Sequence, residues 1–175
     1  MDKKQLDDLI RKIAGGDKKA FEKLYGLMKT DVFSFAFSIC NNWQIAKDAL
    51  QDVFIKINRY AHTYKPNSNP KAWILTLTKH TVLNILRKEN RCVPREEIEN
   101  NTEYDQTTKV ENHLLIEQLL ESLNETERQI VTLHALSGLK HSEISEILNK
   151  PYGTVLWTYS NAIKKLKKNS SNFPT

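Results

Sequence analysis

Only two cysteines occur, Cys40 and Cys92, far apart and without a CxxC partner. That excludes a disulfide-stapled scaffold and a thiolate metal site, and it fits a reducing cytoplasm with two free thiols. Glycine and proline number five each, too little punctuation for an all-β fold. No apolar run reaches the roughly 18 residues of a membrane span. The opening MDKKQLDDLIRKIAGG lacks the apolar segment and small-residue cleavage site of a secretory signal. A cytoplasmic chain without membrane insertion is therefore expected. None of the five histidines stands at a metal-binding spacing such as HExxH, and no glycine-rich phosphate loop is present. The expectation is a protein that is not an enzyme, with no cofactor, no metal and no small-molecule substrate.

What the 175 residues do contain is helical periodicity and unevenly placed charge. The net charge is +5, but residues 92–112 carry six acids against Arg95 and Lys109, whereas the last fifteen residues carry Lys164, Lys165, Lys167 and Lys168 and no acid. With almost no apolar periodicity, 92–112 reads as a flexible acidic linker. Two small helical domains, 1–91 and 113–175, follow, in an all-α fold. Basic helical ends around an acidic middle suggest nucleic-acid contacts at two places, although such runs also simply keep a helical protein soluble.

In the first domain Leu6, Leu9, Ile10 and Ile13 repeat as one helix face, and Gly15-Gly16 stops it. Asp17 is suited to cap the next helix, with Ala20, Phe21, Leu24 and Tyr25 on one side. VFSFAFSIC at 32–40 is apolar nearly all round and reads as a buried central helix. Residues 45–60 keep Ala46, Ala49, Leu50, Val53, Phe54 and Ile57 on the helical repeat, leaving Asp48, Gln51, Asp52, Ile55 and Arg59 outside. That outer face is either a docking strip for a basic partner or an ordinary charged helix back.

Asn69 and Pro70 start a further helix running to Arg91. Ile74, Leu75, Thr78, Val82, Ile85 and Leu86 form its apolar arc, while Trp73, Leu77, His80, Asn84, Arg87 and Arg91 collect opposite, with Lys88 alongside. Cations neutralise phosphates and flat rings stack on unpaired bases, so this face is suited to a melted DNA strand. The plainer alternative is a packed indole and a solvated basic helix end. In the preceding loop, Tyr64, Asn67 and Ser68 have the chemistry to hold an extruded base, or simply that of a turn.

In the second domain Leu114, Leu115, Gln118, Leu119 and Ser122 outline one helix. Asn124 and Glu127 resemble a capping box before a second, which Gly138 ends. A short helix over 142–148 ending at Asn149, which can take the left-handed conformation, a turn of about four residues, and a longer helix opened by Pro151 with Gly153 and Thr154 at its start describe a helix-turn-helix. In that motif the second helix enters the major groove, and the Gly153 and Thr154 amides suit a phosphate. Helical hairpins of this size also serve protein interactions.

The order of these pieces resembles the extracytoplasmic-function group of bacterial sigma factors, small sigma-70-type subunits of RNA polymerase. AFEKLY at 20–25, AKDALQDVFIKI at 46–57 and AWILTLTKHTVLNILRK at 72–88 are similar to the family's first domain, and LNETERQIVTLHALSGLKHSEISEILNKPYGTV at 123–155 to its promoter-reading domain. The resemblance implies that Asp48, Gln51, Asp52, Phe54 and Ile55 bind core RNA polymerase, although the helical repeat puts Phe54 inward. It implies that Tyr64, Asn67, Ser68, Trp73, His80, Asn84, Arg87, Lys88 and Arg91 meet the −10 element of promoter DNA. Gly153, Thr154, Leu156, Trp157, Asn161, Lys164 and Lys165 would meet the −35 element, with Glu143, Ile144 and Val155 in the same motif. An inhibitory anti-sigma factor is expected as a further partner. The chain departs from the family's pattern at Leu156, Trp157 and Thr158, where lysine, serine and arginine are customary, and at Asn161 in place of a further arginine. Two other readings stand beside this one: a sigma-like interaction protein with degenerate promoter reading, and a stand-alone helix-turn-helix regulator.

Overall fold

The computed structural model describes residues 3–92 and 122–170, without the side chains of 90–92 and 169–170. The expected acidic linker beyond Cys92 and the expected helix through Leu114–Leu119 lie outside the described residues; Ser122, assigned to that helix, stands in a turn. All regular structure among the described residues is helical: α1 Lys3–Ala14, α2 Lys18–Cys40, α3 Trp43–Tyr60, α4 Pro70–Cys92, α5 Glu125–Val131, α6 His141–Leu148 and α7 Tyr152–Ser170. None of these helices is long and apolar enough to cross a membrane.

The helix boundaries follow from capping chemistry. The Asp17 carboxylate accepts from the Ala20 N–H at 3.1 Å, Asn42 Oδ1 from the Ile45 N–H at 3.0 Å and Asn69 Oδ1 from the Ala72 N–H at 3.1 Å, each satisfying an amide that an α-helix leaves open. Asn41 and Asn149 end α2 and α6 in the left-handed conformation. Asn124 and Glu127 form the reciprocal capping box, both bonds at 3.0 Å. The helix expected to end at Gly138 loosens first: α5 passes into a π-helical segment, Thr132–Leu136, and Gly138 turns the chain at φ 68°. Gly26 interrupts nothing, so the two helices read within 18–40 are one.

Three apolar clusters hold the helices together, the smallest joining α5 to α7 through Leu123, Val131 and Ala162. The first joins α1, the N-terminal half of α2, the C-terminal end of α3 and the start of α4, with Leu6, Ile10, Leu24, Met28, Val53 and Ile57 at its centre. The second spans both halves of the chain. Phe35, Ala36 and Ile39 of α2, Ala46 and Ala49 of α3, and Leu75 and Val82 of α4 pack with Ile130, Leu133, Ile144, Ile147 and Val155. This explains why 32–40 is apolar all round: one side faces α3 and α4, the other is covered by α5 and the π segment.

Polar contacts reinforce the junction. Asn69 Nδ2 donates to Glu143 Oε1, Lys79 Nζ to the Ile147 carbonyl at 3.0 Å, and Arg128 Nε to the Ser38 carbonyl at 3.4 Å. The Lys79 ammonium reaches a carbonyl near the C-terminus of α6, where the helix dipole favours a cation. Burial, with repulsion from Lys150, pulls its pKa down.

Candidate nucleic-acid interface

The expected docking strip is exposed as a ridge along α3. Asp48, Gln51 and Asp52 face solvent, Ile55 is 64% exposed among them, and Gln44 donates to Asp48 at 3.1 Å. Phe54 departs from the resemblance. It is buried, with its ring 6.1 Å from Phe21 and 4.8 Å from Tyr25. The helical repeat that carries Ala46, Ala49, Val53 and Ile57 inward carries Phe54 with them, so it supports the ridge from beneath and does not line it.

The loop before α4 also differs from expectation. Tyr64 is 5% exposed and belongs to the first apolar cluster. Its hydroxyl donates to Asp7 at 2.8 Å, and the Asn67 N–H donates to the same oxygen at 2.8 Å. Arg11 closes on the other Asp7 oxygen at 3.3 Å. The Tyr64 hydroxyl bond, against burial and with the Asn67 amide and Arg11 assisting, holds the Asp7 carboxyl below its ordinary pKa. Burial raises that of Tyr64. Tyr64 is thus an anchor for the loop and has no free face for a base. Asn67, at φ 63°, is exposed and Ser68 half-buried. Trp73 is half-buried, its ring set edgewise against Tyr64 at 5.4 Å.

Farther along α4, His80, Asn84, Arg87 and Lys88 are all exposed. Arg91 continues the helix, but its side chain lies outside the described residues. A cleft of about 310 Å³ between α3 and α4 is lined by Asp52, Lys56, Thr81, Asn84, Ile85, Arg87 and Lys88. It brings the last acid of the α3 ridge beside the cations of α4, two features the sequence presents as separate. Lys56 and Thr81 were missed. Lys56 Nζ donates to Thr81 Oγ1 at 3.0 Å, while that hydroxyl donates to the Leu77 carbonyl at 2.8 Å. Lys56 lies one helical turn after Asp52, the spacing that would have placed it on the same side.

In the second region α6, a three-residue turn and α7 form the helix-turn-helix. Ser145 Oγ donates to the Lys150 carbonyl at 2.6 Å and the Lys150 N–H returns to Ser145 at 3.0 Å, fixing the turn. Val155 and Ile144 are core, while Gly153, Thr154, Leu156 and Trp157 are exposed, Trp157 at 69%. Glu143 faces the first region through Asn69. Lys165 is engaged structurally, its ammonium 2.7 and 2.9 Å from the two Glu127 oxygens. Burial raises the Glu127 pKa, but Lys165 and the Asn124 N–H outweigh it and leave the carboxyl below its usual value. A groove of about 770 Å³ runs between this pair, Trp157, Asn161 and Lys164. Cys40 is a packed thiol within reach of the Ala36 and Asn42 carbonyls at 3.2 and 3.3 Å, and burial raises its pKa, which disfavours the reactive thiolate.

Comparison with known proteins matches these two regions separately. The sigma-70 region 2 family model matches residues 24–92 and the sigma-70 region 4 model residues 113–166. The chain is 30% identical over 168 residues to the ECF RNA polymerase sigma-E factor of Haemophilus influenzae, covering 86% of this chain and 88% of that one. It is 26% identical over 161 residues to RNA polymerase sigma factor YlaC of Bacillus subtilis, covering 87% and 92%. Among solved structures, CnrH in complex with the cytosolic domain of CnrY aligns at a TM-score of 0.70 with 17% identity, over 97% of this chain and 99% of that one. The sigma factor RpoE in complex with the anti-sigma factor NepR from Bartonella quintana aligns at 0.68 with 21% identity, over 89% and 99%. At such identities these structures speak to the fold.

Proposed function

The chain belongs to the sigma-70 family of RNA polymerase sigma factors, and from that membership we propose how its surfaces divide the work. It is an ECF-type sigma factor that binds core RNA polymerase and directs it to promoters. The phosphodiester chemistry belongs to the polymerase. In this reading the α3 ridge of Asp48, Gln51, Asp52 and Ile55 docks on a basic surface of the enzyme, with Ile55 as the apolar anchor in a polar frame. The polar face of α4 receives the non-duplex strand of the −10 element. Arg87, Lys88 and Arg91 take phosphates, and His80, Asn84, Asn67 and Ser68 supply hydrogen-bonding groups beside Trp73. Strand separation is driven by trapping unpaired bases, each stack being worth roughly 1–3 kcal/mol. The α7 helix meets the −35 element; the two domains are bounded near 91 and 113, and in the structure they share the second apolar cluster. An anti-sigma factor is the expected inhibitory partner, as the RpoE neighbour is described with one.

The observation that carries this reading is the exposed polar and cationic face formed by His80, Asn84, Arg87 and Lys88 directly beside the acidic α3 ridge. Core polymerase supplied with this chain should initiate at defined sites on genomic fragments, and core alone should not. Binding to core without initiation would make it an interaction protein. Tight duplex binding without polymerase would make it a stand-alone regulator.

A further inference from the structure

We infer that α7 reads its DNA element through thymine methyl groups, with Leu156 and Trp157 as the reading side chains. The inference rests on the sigma-factor reading above and concerns how the upstream element is recognised. At about 100° per residue, Tyr152, Leu156 and Ser160 form one row along the exposed side of α7, and Gly153, Trp157, Asn161 and Lys164 form the row beside it. Exposure matches this geometry: Tyr152 is 52%, Leu156 39% and Trp157 69% exposed, giving a contiguous apolar patch.

No charged residue occurs on α7 before Lys164. The side chains that read guanine by paired hydrogen bonds, arginine and lysine, are therefore absent from the half of the helix that a helix-turn-helix inserts. Asn161, suited to adenine, is half-buried at the groove beside Glu127. Only one apolar group is displayed in the major groove, the C5 methyl of thymine. An exposed indole and isobutyl group at the inserted end of the helix are complementary to that group and to little else there.

The surroundings favour DNA over an apolar protein partner as the occupant. Lys164 and Lys168 are exposed farther along α7, positioned toward backbone phosphates once the N-terminal half is in the groove. Two carboxylates line the adjoining groove, both outside α7: Glu127 is buried and paired with Lys165, and Glu125 is exposed and accepts from Gln129 Nε2 at 2.7 Å. The patch is thus an apolar reading surface continued by cations, with no anion exposed on the helix to repel a phosphate.

The test uses holoenzyme, core polymerase with the full chain, and promoter templates selected from a library randomised over the upstream element. Selection should enrich thymines at positions facing α7. Replacing such a thymine by deoxyuridine removes only the methyl group, and initiation should fall roughly fourfold per position, the weight of one buried methyl-sized group. Trp157→Ala or Leu156→Ala should each erase the thymine–uracil difference at one position. Both side chains are exposed, so folding should survive, and far-ultraviolet circular dichroism checks this. Equal initiation from thymine and uracil templates overturns the inference, as does full discrimination by the Trp157→Ala, Leu156→Ala double variant. Absence of initiation on every template would instead defeat the sigma-factor reading.

Discussion

Helices α4 and α7 are built alike and finished differently. Both are long, at 23 and 19 residues, and both bury one side in the second apolar cluster. On α4 the side left to solvent carries His80, Asn84, Arg87 and Lys88; on α7 it carries Tyr152, Leu156 and Trp157 before the first lysine. Cations grip any phosphate, and the strength of that grip falls with salt. An indole grips no phosphate, and its contact depends on what the base displays. On the proposed reading, the contrast gives holding power to the first region and selectivity without much charge to the second. A weak upstream contact then depends on the polymerase and the downstream contact to raise its effective concentration.

The largest expected effect comes from removing what both faces depend on. Asp48→Lys with Asp52→Lys puts like charge against the basic docking surface, and core affinity should drop on the order of 100-fold or more while circular dichroism is unchanged. Unaltered affinity in a core-binding titration would remove the ridge from the interface.

Next in size is the α4 face itself. Arg87→Ala with Lys88→Ala deletes two solvent-exposed phosphate contacts of about 1 kcal/mol each. Open complexes should become scarcer by tens-fold, and the log–log salt dependence should flatten by roughly 0.7 per lost single-strand contact. Trp157→Ala should leave that slope where it was. A slope that moves equally in both variants would erase the contrast between the helices.

The shared core allows a third test. Ile147 is buried where α6 meets α4, and Ile147→Ala should cost about 2–5 kcal/mol. Because the cluster joins both regions, a single thermal transition should move as a whole. Two transitions, only one of them displaced, would show that the faces sit on independent bodies.

The smallest effect concerns acid. Asp7 has a lowered pKa in the folded chain, so its bonds to Tyr64 and Asn67 stabilise the protein above about pH 4. That contribution is lost as the pH falls through the lowered value. Asp7→Asn should therefore flatten the acid limb of a pH–stability profile while loosening the loop ahead of α4 at neutral pH. A profile identical to the parent's would mean the carboxylate does not anchor the loop.

Much of this organisation was legible in the sequence, because it is written in local chemistry. The Asp17, Asn69 and Asn124 caps, the left-handed Asn149 and the inward repeat of α3 each depend on a few neighbouring residues. What escaped depends on residues far apart in the chain. Tyr64 looks like a base-stacking ring until Asp7, 57 positions earlier, takes its hydroxyl. Lys165 looks like a phosphate contact until Glu127 closes on it. Phe54 shows the two sources in conflict, the periodicity putting it inside and the family resemblance outside; the periodicity agrees with the fold. The union of both regions around Phe35, Ile144 and Ile147 has one local trace, the all-round apolarity of 32–40, which says that something covers both sides without saying what.

Permanganate reactivity of unpaired thymines reads out strand opening at the α4 face. Holoenzyme carrying the wild-type chain should render thymines of the downstream element reactive. Holoenzyme with Arg87→Ala and Lys88→Ala should lose that reactivity while footprinting still shows the promoter occupied. Undiminished reactivity in the variant would contradict the account, as would loss of occupancy and reactivity in equal measure.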